Sequence, residues 1–269
     1  MRDKILIVLA ILTFGVISAQ DAKSINAKYK ILYLLTYQQD STDIASLREE
    51  PMELFIGNGS SLFQSQYVSY NDSLVKAVSN KYDDDPQRAV NLTLSLRKKT
   101  KISYIIYKTP EETLVLDKIF TDKFTYEDNE KMKWKLSNET KHIGNYLCQR
   151  ATTTYGGRDY TAWYTSEVPI SDGPYKFKGL PGLILEIQDS RKQYVFEFLT
   201  LEKSDDKFTF DRNNIPETTK EEFYKGLNNF KRDIINQMDQ RGFTFDEDNA
   251  TKVKESVRRT RNNEMEIVY

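Results

Sequence analysis

Histidine and cysteine do most acid–base and nucleophilic chemistry near neutral pH, and this sequence holds one of each, His142 and Cys148. On one unbroken strand their six-position spacing would separate them by roughly 20 Å, too far for a hydrogen bond. A sharp bend at Gly144 would shorten that distance. We therefore expect no Cys–His pair, and Cys148 reads as a small buried hydrophobe. A serine nucleophile lacks both a second histidine and a Gly-x-Ser-x-Gly elbow. Structural zinc needs four nitrogen or sulfur ligands, and one of each is too few. Asp83-Asp84-Asp85 runs into Pro86 without the glycine and closing glutamate of a calcium loop, and Asp246 and Asp248 fail at Ala250. Some pair of carboxylates always exists among 40 acidic residues, so pairing alone does not specify a glycosidase. The expectation is no catalytic residue, no metal and no cofactor: a protein that is not an enzyme.

What remains for a site is aromatic. Trp163, Tyr164, Tyr175 and Phe177 could line a ligand groove; filling the core is the competing role. The indole N–H of Trp163 would then need a partner.

The elements that would position these residues are mostly strands. Residues 28–38 alternate, with Tyr29, Ile31, Tyr33 and Leu35 on one side. Further strands are expected at Met52–Ile56, Leu62–Tyr70, Ile102–Tyr107 and Leu114–Phe120, and at Leu92, Leu94 and Leu96, which alternate with polar residues. A weak helix candidate covers 72–80. Trp134–Thr140, His142–Thr154 and Arg158–Val168 read as strands, the last two joined by Gly156-Gly157 as a tight hairpin. About ten strands are expected before residue 211. Then the period changes: Phe223, Leu227, Phe230, Ile234 and Met238 mark one face of an amphipathic helix over Thr219–Arg241. Thr219 and Glu222 form a capping box, and Gly242 is the stop. Val253 and Val257 suggest a second short helix ending in Arg258-Arg259-Thr260-Arg261, whose charges suit a helix C-terminus.

Gly179-Leu180-Pro181-Gly182-Leu183-Ile184 is the most distinctive string. Proline and glycine suit the central positions of a type II turn, here launching an apolar strand, so the motif reads as structural. It is not a phosphate loop, because no Lys-Ser/Thr follows. The string resembles the signature of the GLPGLI family of exported bacterial proteins, whose function is uncharacterised. Gly144-Asn145-Tyr146-Leu147-Cys148 with Ala151 is similar to that family's upstream element. Gly157-Arg158, Ala162-Trp163-Tyr164-Thr165, Glu167, Pro169, Gly173-Pro174 and Phe177 extend the likeness over about 134–200. Asn262-Asn263 agrees more loosely, and Glu264 stands where the resemblance implies proline. The family supplies no catalytic residues to carry over.

Residues 1–19 read as a signal peptide: Arg2 and Lys4, an apolar run from Ile5 to Ile17, then Ser18-Ala19. The run is shorter than the roughly 20 residues of a membrane-spanning helix. No cysteine stands at the cut, so a free mature chain is expected, with no membrane span, in the periplasm, at the cell surface or outside. The formal net charge of −1 argues against nucleic-acid binding.

Residues 20–269 should form a single mainly β domain. Its antiparallel sheet should curve strongly into an open or partial barrel, with a helical C-terminal part over about 217–261 packed on it. The favoured role is a binding or carrier protein for an apolar or peptide-like ligand held in the sheet's concavity. The alternatives are a partner in an envelope assembly and a carboxylate-dependent hydrolase.

Overall fold

The structure, a computed structural model, describes residues 23–260 and 262–266; the leader expected over 1–19 lies outside them. The chain runs β1 (Lys23–Asn26), β2 (Tyr29–Gln38), β3 (Leu47–Gly57), β4 (Ser60–Ser65), α1 (Gln66–Lys81), α2 (Pro86–Leu96), β5 (Ile105–Lys108), β6 (Thr113–Ile119) and β7 (Asp122–Glu127). It continues through β8 (Lys135–Ile143), β9 (Tyr146–Tyr155), β10 (Arg158–Thr165), β11 (Leu183–Asp189), β12 (Tyr194–Lys203), β13 (Lys207–Phe210), β14 (Glu217–Thr219), α3 (Lys220–Arg232), α4 (Ile234–Asp239) and α5 (Glu247–Thr260). Twelve strands form one sheet in the order β14-β7-β6-β5-β4-β3-β2-β12-β11-β10-β9-β8. Neighbours are antiparallel except β14, which joins β7 in parallel. The sheet does not close; β14 and β8 are its edges. The mainly β class and the open sheet are as the sequence implied.

Strand alternation divides the sheet into two faces. Ile31, Tyr33, Leu35, Met52, Leu54, Phe63, Ile106 and Val115 point to the inner face, where the main core forms. The opposite face carries Phe55, Leu62, Tyr107, Leu114 and Leu116. A separate two-stranded ribbon, β1 with β13, covers them with Ile25 and Phe210. Helix α3 packs on the inner face through buried Phe223, Tyr224, Leu227 and Phe230, with Phe223 against Phe124 and Tyr126.

Turn chemistry sets the register. Asn58-Gly59 and Gly156-Gly157 are two-residue hairpin loops with φ positive at both positions, the twist that matches flanking strands.

Four expectations need correction. Leu92, Leu94 and Leu96 lie in α2, not in a strand: the Asp85 carboxylate caps it by accepting from the Arg88 N–H, and Pro86 opens its first turn. A five-residue alternation is too short to outweigh such a start, and Leu94 and Leu96 remain exposed. The strand expected over Leu62–Tyr70 ends at Ser65, whose hydroxyl caps α1. The strand expected over His142–Thr154 is a hairpin: β8 ends at Ile143, Gly144 takes φ +55° and β9 begins at Tyr146. The single helix expected over Thr219–Arg241 breaks at Asp233, where φ −119°, ψ 37° is not helical. The Thr219 hydroxyl does accept from the Glu222 N–H, and Gly242 does stop α4's last turn at φ +85°.

Candidate functional site

The inward positions of two hairpins and one loop converge on a cleft of about 570 Å³. Ile106 faces the inner core, so alternation points Lys108, two residues on, the same way at the end of β5. Lys108 is buried; its ammonium pairs with the Asp172 carboxylate and donates to the Gly173 carbonyl at 2.6 Å. Burial lowers its pKa, and Asp172 opposes that shift. Lys178 is half-buried. Its ammonium donates to the Thr109 carbonyl at 2.5 Å and the Glu112 carbonyl at 3.1 Å, holding the turn between β5 and β6. Burial, and then the neighbouring Lys108 charge, lower its pKa. Ile56, Pro110, Met132 and Ile170 supply apolar wall, and Gly179 closes the loop side.

A buried ionic network shares Asp128, Tyr155 and Lys176 with the lining of the cleft. Lys176 contacts the Asp128 carboxylate at 2.7 Å, the Glu266 carboxylate at 2.5 Å and the Tyr126 hydroxyl at 3.3 Å. Lys220, at the start of α3, contacts Asp128 at 2.9 Å and Glu266 at 2.6 Å. Tyr155 donates to Asp128 at 2.6 Å, and Tyr175 donates to Glu266. Burial alone would neutralise these carboxylates, but Lys176 and Lys220 outweigh it and hold both below the usual range. Two carboxylates and two ammonium ions thus stay ionised together, the form in which buried charge is tolerable.

Chemistry is sparse around this arrangement. Lys141 stands opposite Cys148 and His142 opposite Leu147, so the Cys148 and His142 side chains leave the hairpin on opposite faces. Cys148 is buried and His142 exposed. The hairpin therefore brings them far closer than a straight strand would, without making a pair. Burial pushes the Cys148 thiol up to about 11, which disfavours the reactive thiolate. Among the described residues no group of His, Cys, Asp and Glu side chains could hold a metal ion. Asp117, on the inner face of β6, is pushed by burial to about 6 while accepting from Ser103 at 2.6 Å. It does not line the cleft.

The aromatic candidates lie elsewhere. Tyr164, Tyr175 and Phe177 are buried in the inner core, where Phe177 packs edge-on against Tyr160 and Tyr155. Trp163 is half-buried under the Lys141 ammonium, which sits 4.7 Å from its ring and pairs with Glu186. None of the four borders the cleft. Of the signature, Gly179 borders it, while Leu180, Leu183 and Ile184 are sealed in the core. The hydrogen bond here runs from the Gly182 N–H to the Leu180 carbonyl at 2.8 Å, a γ-turn about Pro181 in place of the expected type II turn. Gly182 is required by space: a Cβ there would lie 2.0 Å from the Thr165 carbonyl oxygen. Of Asp83 to Asp85, Asp85 proves to be the α2 cap, and Asp83 and Asp84 form the turn before it.

Sequence reasoning missed Lys108, Lys176 and Lys178. The available signal was a lysine at an inward position of an apolar strand, and a lysine between Tyr175 and Phe177.

Residues 157–186, spanning β10, the loop and the signature, match a family model described as a protein of unknown function (Porph_ging). No curated protein matches the chain. Two crystal forms of PNGF-II, P21 and C2, are similar in fold, with TM-score 0.50 and 17% and 15% identity. Each alignment covers 75% of this chain and 33% or 32% of PNGF-II, so the chain spans about a third of that protein's length. At this identity the likeness shows the fold alone. An uncharacterized conserved protein from Thermus thermophilus aligns at TM-score 0.35 and 4% identity, over 72% of this chain and 91% of its own; that likeness carries no argument.

Proposed function

We propose that this chain is an exported, non-catalytic binding protein of the GLPGLI type, and that it holds a peptide-like ligand in the cleft between the β3–β4 and β5–β6 hairpins and the 170–179 loop. The carrying observation is the cleft's composition. Apolar Ile56, Pro110, Met132 and Ile170 share one wall with the Lys178 ammonium, which donates to two backbone carbonyls of a turn. A peptide offers carbonyls and apolar side chains together. The sheet's concavity is filled by its own tyrosines and leucines, so the ligand belongs at the hairpin ends. Of the cleft's four carboxylates, Asp128 and Asp172 are buried and engaged by lysines, while Glu111 and Glu130 are exposed to solvent, an arrangement that favours binding over hydrolysis.

Trp134 gives a direct test. Its indole donates to the Lys178 carbonyl at 2.9 Å and lies beside Gly179. Trp163→Phe leaves Trp134 as the only indole. Titration of this variant with a library of tryptophan-free hexapeptides should give a saturable emission change for some members, abolished by Met132→Glu. A flat response across the library, with the variant folded, would remove the cleft as a peptide site.

Partnership in an envelope assembly, the alternative, would use an exposed patch or a strand edge. The edge strand β8 carries Lys135, Glu139 and Lys141 and an irregular register between Leu136 and Thr140, features that discourage edge pairing. The cleft is the better-supported site.

A further inference from the structure

Residues 262–266, Asn-Asn-Glu-Met-Glu, form a strap that enters no strand ladder, yet Asn263, Met265 and Glu266 are buried. It is held residue by residue, by groups of the sheet, of the β2–β3 loop, of the 170–179 loop and of α3. Asn262 donates to the Asp40 carboxylate at 2.8 Å and accepts from the Ser41 N–H at 2.8 Å. Asn263 donates to the Gln38 carbonyl at 2.6 Å; its side-chain oxygen accepts from Arg158 at 2.6 Å and its backbone carbonyl from Tyr194 at 2.5 Å. The Glu264 carbonyl takes Arg158 at 2.7 Å, its carboxylate takes Lys231 at 2.5 Å, and the Met265 carbonyl takes Tyr160 at 3.4 Å. Glu266 ends between Lys176 and Lys220. The strap crosses directly over the β9–β10 turn, where a Cβ on Gly156 would meet Glu266 Cγ at 2.7 Å.

Three consecutive backbone carbonyls satisfied by side chains, with fitted sites for two asparagines and a glutamate, make a groove that reads a peptide sequence. The helix that precedes this occupant is lightly anchored. Helix α5 delivers it, packs on α4 and buries no side chain among those described.

We infer that this groove is an interaction site for the same segment of a second copy of the chain, so that two molecules can exchange straps. A second copy is the one partner whose segment reproduces every contact above without alteration. Because α5 itself buries no side chain among those described, swinging it outward uncovers only what the strap covers: Met265 leaves the inner core and Glu266 leaves Lys176 and Lys220. A second copy's strap restores those same contacts, which is the condition for exchange of an element between protomers. The inference is independent of what the cleft holds.

Isotopically heavy and light full-length chains, mixed at high concentration and treated with a carbodiimide, test it without any variant. The Lys231–Glu264 pair is close enough for a zero-length amide. Exchange predicts heavy–light cross-links at this pair, growing with incubation time, and a dimer in sedimentation whose share rises with concentration. Cross-links confined within single copies after prolonged mixing would overturn the inference. A second measurement uses the full chain with a specific protease site inserted between α5 and the strap. After cutting, a labelled peptide of residues 262–269 should replace the severed strap at one per chain. A peptide with both asparagines changed to alanine should bind about tenfold more weakly or worse, since each loses fitted hydrogen bonds. Unfolding on cutting, failure of the labelled peptide to enter, or equal binding of both peptides would each overturn it.

Discussion

The two faces of the sheet come from the same alternating strands and solve burial differently. The outer face, under β1 and β13, is closed by Ile25, Phe55, Leu62, Leu114, Leu116 and Phe210, with Tyr107 among them. Phe55 stacks on Phe208 there at 3.5 Å between centroids. The inner face buries Tyr33, Tyr126, Tyr155, Tyr160, Tyr164 and Tyr175 beside Lys108, Lys176, Asp128 and Glu266. An apolar face accepts any ribbon of suitable shape. A face of buried donors and acceptors accepts only a segment that satisfies them, since each unpaired group costs about 1–3 kcal/mol. The inner face therefore selects what covers it, and both the 170–179 loop and the strap land where their polar groups are met.

Breaking the ionic network should show the largest effect. Lys176→Met leaves Asp128 and Glu266 with Lys220 as their remaining ammonium, and should cost about 3–5 kcal/mol in urea unfolding. A loss under about 1 kcal/mol would mean that the inner face is no more selective than the outer. Phe55→Ala on the outer face should cost about 3 kcal/mol through lost apolar burial and the cavity left behind, with little dependence on pH.

The inner face should also titrate. The Asp117 pKa is raised to about 6, above its unfolded value, so the folded state holds that proton more tightly. Its burden on stability is absent below the unfolded pKa and grows as pH rises through 6. Asp117→Asn should accordingly stabilise the protein by about 1–2 kcal/mol at pH 7.5 and by little near pH 4. Asp128 and Glu266 run the other way: their pKa values are lowered, so their contribution is full above the unfolded carboxylate range and fades as pH falls below it. Thermal melts across pH should therefore peak in mildly acidic solution, and a monotonic rise to pH 8 would contradict these assignments. Thr219→Ala, which removes the α3 cap, should cost about 1 kcal/mol. His142→Ala should change nothing beyond about 0.5 kcal/mol.

Local signals carried much of the architecture. Alternation in residues 28–38 placed β2, Gly156-Gly157 placed its hairpin, and Thr219 with Glu222 placed the start of α3, because each depends on neighbours in the chain. Short windows failed where a stronger local signal overlapped them, as the Asp85-Pro86 helix start overrode the leucine alternation of α2. For the aromatic residues the sequence offered both a groove and the core; Tyr164, Tyr175 and Phe177 fill the core and Trp163 is half-buried, a choice no local signal makes because burial is set by what packs on the other side.

By itself the sequence determined the mainly β class, the amphipathic character of α3 and the strand β11 that follows the signature; periodicity and capping act over a few residues. Only the tertiary structure decided that Lys108, Lys176 and Lys178 gather at one end of the sheet and that Glu266 joins Asp128 and Lys220. Asp128 and Glu266 lie 48 and 90 positions from Lys176, and charges that distant in sequence meet only when the whole sheet brings them together.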